Sequence, residues 1–278
     1  MSDRVTTVVM TRDRWPDLQV SLPHHEPPVV LVDNASADGT PQLVGRHHPD
    51  VEVLALTRNL AAPARNLGVE AARTPYVAFA DDDSWWSPGA LDRAADLLDA
   101  HPRLAVVHPR ILVGPEERLD GLCAELARSP LPRLADLPGP PIAGFVACGV
   151  VVRRNAFLET GGFDAVVAFP GEEERVALDL LAGGWHLTYV EDVVAHHHPS
   201  PSRDPGGRRR ARIARNHLLT ALMRRPWPVV LREVGSVLGG RDLPAARGLL
   251  QAVRRSPRAL AARRVVPGHV EDLLALLA

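Results

Sequence analysis

Lysine is missing from this 278-residue chain, whose 32 basic side chains are all arginine, and aromatic residues make up only 4%. That bias reflects overall composition and points to no particular task. Two cysteines, Cys123 and Cys148, are too few for a disulfide framework and have no metal-ligand spacing, which favours a reducing compartment and a cytoplasmic location. The longest apolar run, residues 142–152, is about half of the ~20 residues that a membrane-spanning helix needs. The start, Met1-Ser2-Asp3-Arg4, lacks the basic-then-apolar order of a signal region. No GxGxxG follows a strand-like run, which argues against a nicotinamide dinucleotide enzyme. Met10-Thr11-Arg12-Asp13-Arg14 is no Gly-rich phosphate loop, which argues against a sugar-phosphate nucleotidyltransferase.

What is present begins with a charge split hidden inside a net charge of −1. Residues 208–278 carry +11 and residues 1–207 carry −12, so the two parts are expected to face different partners. The division expected is a catalytic domain over 1–207 and an Arg-rich helical extension over 208–278. An acidic body suits a cation site, and a basic tail suits phosphate or anionic lipid. Nucleic acid is not expected, because the basic part lacks interleaved aromatics and any recognisable binding motif.

β-branched runs at 5–10, 29–32 and 51–56, and the run 76–80, read as strands. They alternate with helices expected to begin near Pro41 and to cover 61–72 and 88–100. Such alternation predicts an α/β fold with a mostly parallel sheet flanked by helices. Further strands are expected at 104–107, within the apolar run 142–152 and at 187–190, with a helix over 172–182. From Arg208 the pattern is helical, with breaks expected at Pro226-Trp227-Pro228, Gly239-Gly240, Pro257 and Pro267. Apolar positions such as Leu231, Val234, Val237 and Leu238 recur at helical spacing, as core packing would require.

Ligands of parallel α/β sheets sit outside the carboxyl ends of the strands. Here those ends carry Thr11, Asp33, Arg58-Asn59 and Asp81-Asp82-Asp83. Three adjacent carboxylates cannot all ionise cheaply without solvent or a cation to screen them. Oxygen ligands of this kind suit Mg2+ or Mn2+ completed by substrate phosphates; a solvated loop capping the next helix is the plainer alternative. Glu172-Glu173-Glu174 opens a helix, where the dipole favours acids, and one of them could equally serve as a general base. His196-His197-His198 reads either as imidazole ligands or as a polar loop. It shares the aspartate edge only if the preceding strand runs parallel to its neighbours.

Taken in order, these elements resemble the family 2 inverting glycosyltransferases of GT-A fold over roughly residues 5–220. The matching pieces are VVLVDNASADGT from Val29 to Thr40, Arg58-Asn59 followed by Ala64-Arg65-Asn66-Leu67-Gly68, and Phe79 to Pro88 with the aspartates. They continue with Gly161-Gly162-Phe163-Asp164, Glu172-Glu173 ahead of Gly184-Trp185, and His196 to Ser200. The resemblance implies a non-processive, single displacement with inversion, moving one sugar from a nucleoside-diphosphate sugar to an acceptor hydroxyl. The absence of a QxxRW-like sequence fits one transfer per encounter.

By resemblance, Thr11, Asp33, Asn59, Arg65, Asp81 and Asp82 would bind the donor nucleotide. Asp81 and Asp83, with His196 or failing it His198, would hold Mn2+ or Mg2+. Glu173, or its neighbour Glu172, would be the base. A lipid-linked acceptor is one compatible class, with Arg208-Arg209-Arg210, Arg224-Arg225 and Arg254-Arg255 against an anionic membrane at the inner face of the cell. Envelope polysaccharide, glycolipid and glycosylated-metabolite synthesis all fit. A sugar-nucleotide-binding scaffold that has kept only the fold is the non-enzyme alternative.

Overall fold

The computed structural model describes residues 3–200 and 206–277. Met1, Ser2, residues 201–205 and Ala278 lie outside the described residues. The first strand, β1 (Val5–Thr11), is followed by α1 (Trp15–Ser21), β2 (Val29–Asp33), α2 (Thr40–His47), β3 (Val51–Ala55) and α3 (Ala64–Ala71). Next come β4 (Tyr76–Asp81), β5 (Ser84–Trp86), α4 (Ala90–Ala100), β6 (Leu104–Val113), β7 (Arg118–Leu119) and α5 (Gly121–Leu126). The body ends with β8 (Gly149–Arg153), α6 (Arg154–Glu159), α7 (Glu173–Ala182) and β9 (His186–His197). Four helices close the chain: α8 (Gly206–Arg224), α9 (Trp227–Gly239), α10 (Leu243–Ala261) and α11 (Gly268–Ala275).

One sheet runs in the order β3-β2-β1-β4-β8-β6-β9-β5, with β7 added beside β6. The first four strands are parallel, as the alternating pattern predicted. β8 then enters antiparallel between β4 and β6, so the second half is mixed. β6 and β9 are parallel to each other, and through β8 both share the direction of β4. This settles the direction of β9: its carboxyl end, with the histidine run, lies on the aspartate edge. The register pairs Thr11 with Asp33 and Met10 with Asp81, which aligns three strand ends in one row.

One face of β1 and β4 buries Val8, Val77 and Phe79 against the helices. Gly68 lets α3 approach β1, since a Cβ there would stand 2.4 Å from Val8 Cγ1. Phe79, Phe157 and Phe163 pack with ring centroids 5.2–5.6 Å apart, in the tilted and edge-on arrangements that aromatic quadrupoles favour.

Several expectations need correction. In the apolar run 142–152 only the last four residues belong to a strand; the rest is a buried loop held by the bond from the Ile142 N–H to Leu187 O. Burial there comes from what packs over it, which apolar content alone cannot tell from strand. β9 extends well past 187–190. Pro257 does not break α10, because the carbonyl its missing N–H would leave open, Val253 O, accepts the Ser256 hydroxyl at 2.8 Å. Leu231 and Leu238 are exposed rather than packed, whereas Val234 and Val237 do join a cluster with Val167, Leu218 and Met223.

Arg224 and Arg225 do not face outward either. Arg224 is buried and bonds both Asp179 oxygens, and Arg225 forms a forked pair with Glu271 at 2.6 and 2.9 Å. The expected division after residue 207 falls at the first turn of α8. The tail packs closely on the body: Val266 and Val270 enter the main core, and Asn216 donates to Pro170 O at 2.7 Å.

Candidate active site

The loops after β1 and β2 are tied together before any ligand is considered. The Asp13 N–H donates to Ser36 Oγ at 2.8 Å, and the Ala37 N–H donates back to Asp13 Oδ1 at 2.7 Å. Asp33 is fully buried and accepts from both the N–H and the hydroxyl of Ser36. Its neighbour Asn34, not singled out in the sequence, accepts the Leu60 N–H at 2.7 Å and donates to Ala61 O at 3.1 Å. Asn59 is exposed and caps that same turn through the Ala61 N–H. The loops after β1, β2 and β3 are therefore braced to one another around Asp33, with Asn59 serving the turn.

At the end of β4 the three aspartates diverge. Asp82 is pushed well above the ordinary carboxylate range by burial and by the charges of Asp81 and Asp83, against the pull of Arg14 and the Thr11 hydroxyl. Thr11 donates to its Oδ2 at 3.2 Å. Asp81 is ion-paired with Arg65, whose guanidinium also lies 3.5 Å from Glu172 Oε1. Arg65 is buried; burial opposes its charge, but Asp81, Glu172 and Glu173 together hold it firmly protonated. Asp83 accepts the Ser200 N–H on Oδ2 at 2.9 Å and lies 3.3 Å from His197 Nε2 through Oδ1.

The histidine run is thus split by strand alternation. His197 reaches Asp83. His196 turns to the other face, 2.8 Å from the Ser87 hydroxyl and 3.2 Å from Glu117, and stacks on Trp85 at 5.6 Å. His198 packs edge-on against Trp85, with its N–H bonded to Asp83 O. The side chains of His196 and His198, the two expected at the cation, thus lie against Ser87, Glu117 and Trp85, and His197 between them is the one beside Asp83. The pairing of Ser84 with His197 sets which face each histidine takes.

Glu172 and Glu173 sit at the amino end of α7 beside this centre. Both carboxyls are shifted upward, first by burial and, for Glu172, by the Glu173 charge. Glu172 is fully buried against Arg65 and its Oε2 has no partner. Glu173 is half-buried, and its Oε1 accepts the Ala147 N–H at 3.1 Å from the buried loop before β8. Glu174 points away to His217. Opposite, Asn66 both accepts the Phe163 N–H at 2.8 Å and donates to Phe163 O at 2.9 Å. The turn after α6 is thereby pinned to the helix that supplies Arg65.

The donor atoms offered, carboxylates of Asp81 and Asp83 with the imidazole of His197, match a hard divalent cation that accepts one nitrogen. Among the described residues no three such side chains are gathered into a protein-only metal cage. The crowded Asp82 and the unpartnered Glu172 oxygen are where extra positive charge would bring relief.

Residues 19–161 match the family described as Glycosyl transferase family 2, about half of the chain. The chain belongs to that family. Among curated relatives of this family 2 member, the N-acetylglucosaminyl-diphospho-decaprenol L-rhamnosyltransferase of Mycobacterium tuberculosis is 28% identical, covering 82% of this chain and 87% of the relative. The pre-mycofactocin glycosyltransferase of the same species is 31% identical over 63% of this chain and 38% of its own length. The fold is that of solved glycosyltransferases. A Pyrobaculum calidifontis mannosyltransferase in complex with GDP-Man and Mn2+ superposes with a TM-score of 0.59 at 22% identity, covering 98% of this chain and 74% of that one. S. aureus TarS 1-349 with UDP-GlcNAc gives 0.62 at 17%, covering 97% and 83%. The GT-A expectation stands.

Proposed function

We propose that this family 2 protein transfers one sugar from a nucleoside-diphosphate sugar to an acceptor hydroxyl with inversion, using a divalent cation. The observation that carries the reading is Arg65, a buried guanidinium that joins Asp81 on the donor side to Glu172 beside the base. It fixes the two halves of the reaction relative to each other, and a displacement reaction gains most from such positioning.

Asp33 and the braced rim around Ser36 would receive the nucleoside. Asp81, Asp83 and His197 would hold the cation, which when bound neutralises charge on the departing diphosphate. Glu173 would take the acceptor proton. It is more accessible than Glu172, the Ala147 N–H orients it, and burial raises its affinity for protons above that of an ordinary carboxylate, as a base requires. The attacking hydroxyl loses its proton to Glu173 Oε2 as its oxygen bonds the anomeric carbon, and the diphosphate leaves from the opposite face. The acid-rich body would repel a bare diphosphate, which supports a bridging cation.

The rhamnosyltransferase relative acts, by its name, on a decaprenol-linked acceptor, and the mannosyltransferase neighbour was solved with Mn2+. Those names support a lipid-linked acceptor and a cation for this chain. Thermal stabilisation by UDP, GDP and dTDP, each with and without Mn2+, in the wild type and in Asp83→Ala, tests the donor half. A cation-dependent shift for one nucleotide that disappears in the variant supports the reading. A folded protein indifferent to all three would instead favour a degenerate scaffold that has kept only the fold.

A further inference from the structure

α10 is packed inside out. A helix on a water-soluble surface normally buries its large apolar side chains and exposes small or polar ones. Here Gly248, Ala252 and Ala259 form the buried face, and Gly248 lies so close to α8 that a Cβ would stand 2.5 Å from Ala211 O. The outward positions carry Leu243, Leu250 and Val253, exposed at 74, 66 and 61%. At 100° per residue these three fall within one quadrant, and Arg247, Arg254 and Arg258, all exposed, form the adjoining stripe. Among its 19 residues α10 holds no acid.

We propose that this face of α10 lies in the surface of an anionic bilayer, with the leucine stripe entering the acyl boundary and the arginines meeting lipid phosphates. Charge complementarity selects this occupant. The segment 208–278 carries +11, so pressing the same face against a second copy would oppose arginine to arginine. Exposed Arg208, Arg209 and Arg210 open α8 at the end where Gly207 approaches Pro244 of α10, extending the basic rim. Arg255 is excluded from it, because it turns inward to Val166 O at 3.2 Å and fastens α10 to the body. No helix among the described residues is long and apolar enough to cross a membrane; an apolar stripe beside cations on a helix of low net hydrophobicity lies in the interface. Docking in this way would hold the protein at the surface where lipid-carried acceptors lie, so the inference extends the acceptor half of the reading above while standing on its own observations.

The test is co-sedimentation of the full chain with phosphatidylcholine vesicles, with and without phosphatidylglycerol. The protein is expected to bind the anionic vesicles, and Leu250→Asp with Val253→Asp to lower the partition coefficient about tenfold or more, as the loss of two buried apolar side chains implies. Arg247→Ala with Arg254→Ala should weaken binding and flatten its salt dependence. Both double variants change exposed residues only, and each should keep the wild-type nucleotide-induced thermal shift, which separates this outcome from a failure of the donor site. Equal binding to neutral and anionic vesicles, or binding untouched by the variants, overturns the proposal. So does a wild-type dimer in sedimentation equilibrium that Leu250→Asp converts to monomer, since the face would then be a subunit interface.

Discussion

His197 Nε2 stands 3.3 Å from Asp83 Oδ1, and the same carboxylate accepts the Ser200 N–H through its other oxygen. The end of β9 and the segment after it are therefore closed over the strand-end aspartates by one carboxylate. A histidine so placed either ligates the cation directly or orients a ligand, and loss of such a group typically costs about 10–100-fold in metal affinity. His197→Ala is expected to raise the Mn2+ concentration needed for nucleotide-induced stabilisation by that factor. His196→Ala, on the opposite face, should leave it within about twofold. Equal effects of the two variants would remove His197 from the site.

Arg65 is a fully buried guanidinium held between two carboxylates. Its removal would leave Asp81 and the fully buried Glu172 without their counter-charge. Deleting one partner of a buried pair costs about 3–5 kcal/mol, so Arg65→Met should lower the urea midpoint steeply, and Arg65→Lys, which keeps the charge, should recover part of the loss. Asp81→Asn with Arg65→Met should be less destabilised than the sum of the single changes. Strict additivity would mean that the pair is not coupled.

The two glutamates separate by readout. Glu173→Gln should reduce transfer by about 10²–10⁴-fold while preserving the nucleotide-induced thermal shift, because the amide still accepts from the Ala147 N–H. Burial holds the Glu173 proton more tightly than usual, so the active, ionised form is lost as pH falls through this raised value. The wild-type rate should accordingly climb with pH along a limb displaced upward from the ordinary glutamate range. A larger catalytic loss in Glu172→Gln with an unchanged melting point would transfer the role to Glu172.

Much of this site could be read from the chain because its residues follow abrupt ends of apolar runs: Asp33 after Val29-Val30-Leu31-Val32, and Asp81 after Tyr76-Val77-Ala78-Phe79-Ala80. A strand that stops at an acid announces a sheet edge. The histidines could not be resolved the same way. Their facing depends on the register shift between β6 and β9 at Pro109/Arg110 and on the pairing of Ser84 with His197, both products of long-range contact. The buried loop before β8 was hidden for a related reason, since the apolar content of Ile142, Phe145 and Ala147 reports burial and carries no information on hydrogen bonding. In the tail the arginines were visible but their partners were not: Asp179 and Glu271, far apart in sequence, decide that Arg224 and Arg225 turn inward.

Gly162 offers a backbone test of the same assembly. Its φ is +63°, and a Cβ there would stand 2.5 Å from Asn66 Oδ1. Gly162→Ala therefore meets left-handed strain and displaces the amide that grips Phe163 N–H and O. A loss of about 1–3 kcal/mol is expected, read as a lowered urea midpoint. Gly161→Ala, at φ +76° but with nothing within 4 Å of the added carbon, should cost less. Reversal of that order would place the constraint in the backbone alone.

The last prediction concerns alkaline stability. His217 lies between Glu174 at 3.0 Å and Glu233 at 3.3 Å, so it couples α7, α8 and α9. The hydrogen bond to Glu174 and then the two carboxylate charges, against burial, lift the imidazole from 6.5 to about 9. Because the folded state binds this proton more tightly than the unfolded chain, stability depends on it with a definite sign. The contribution is complete below pH 6.5, where both states are protonated, and fades as pH rises towards about 9. With its side chain 41% exposed, solvent screening keeps the effect small, so it is best read as a difference between proteins. The urea midpoint of the wild type minus that of His217→Gln should be constant below pH 6.5 and shrink from there to pH 9. A difference that stays level across that interval would show that the two glutamates do not hold the proton in the folded protein.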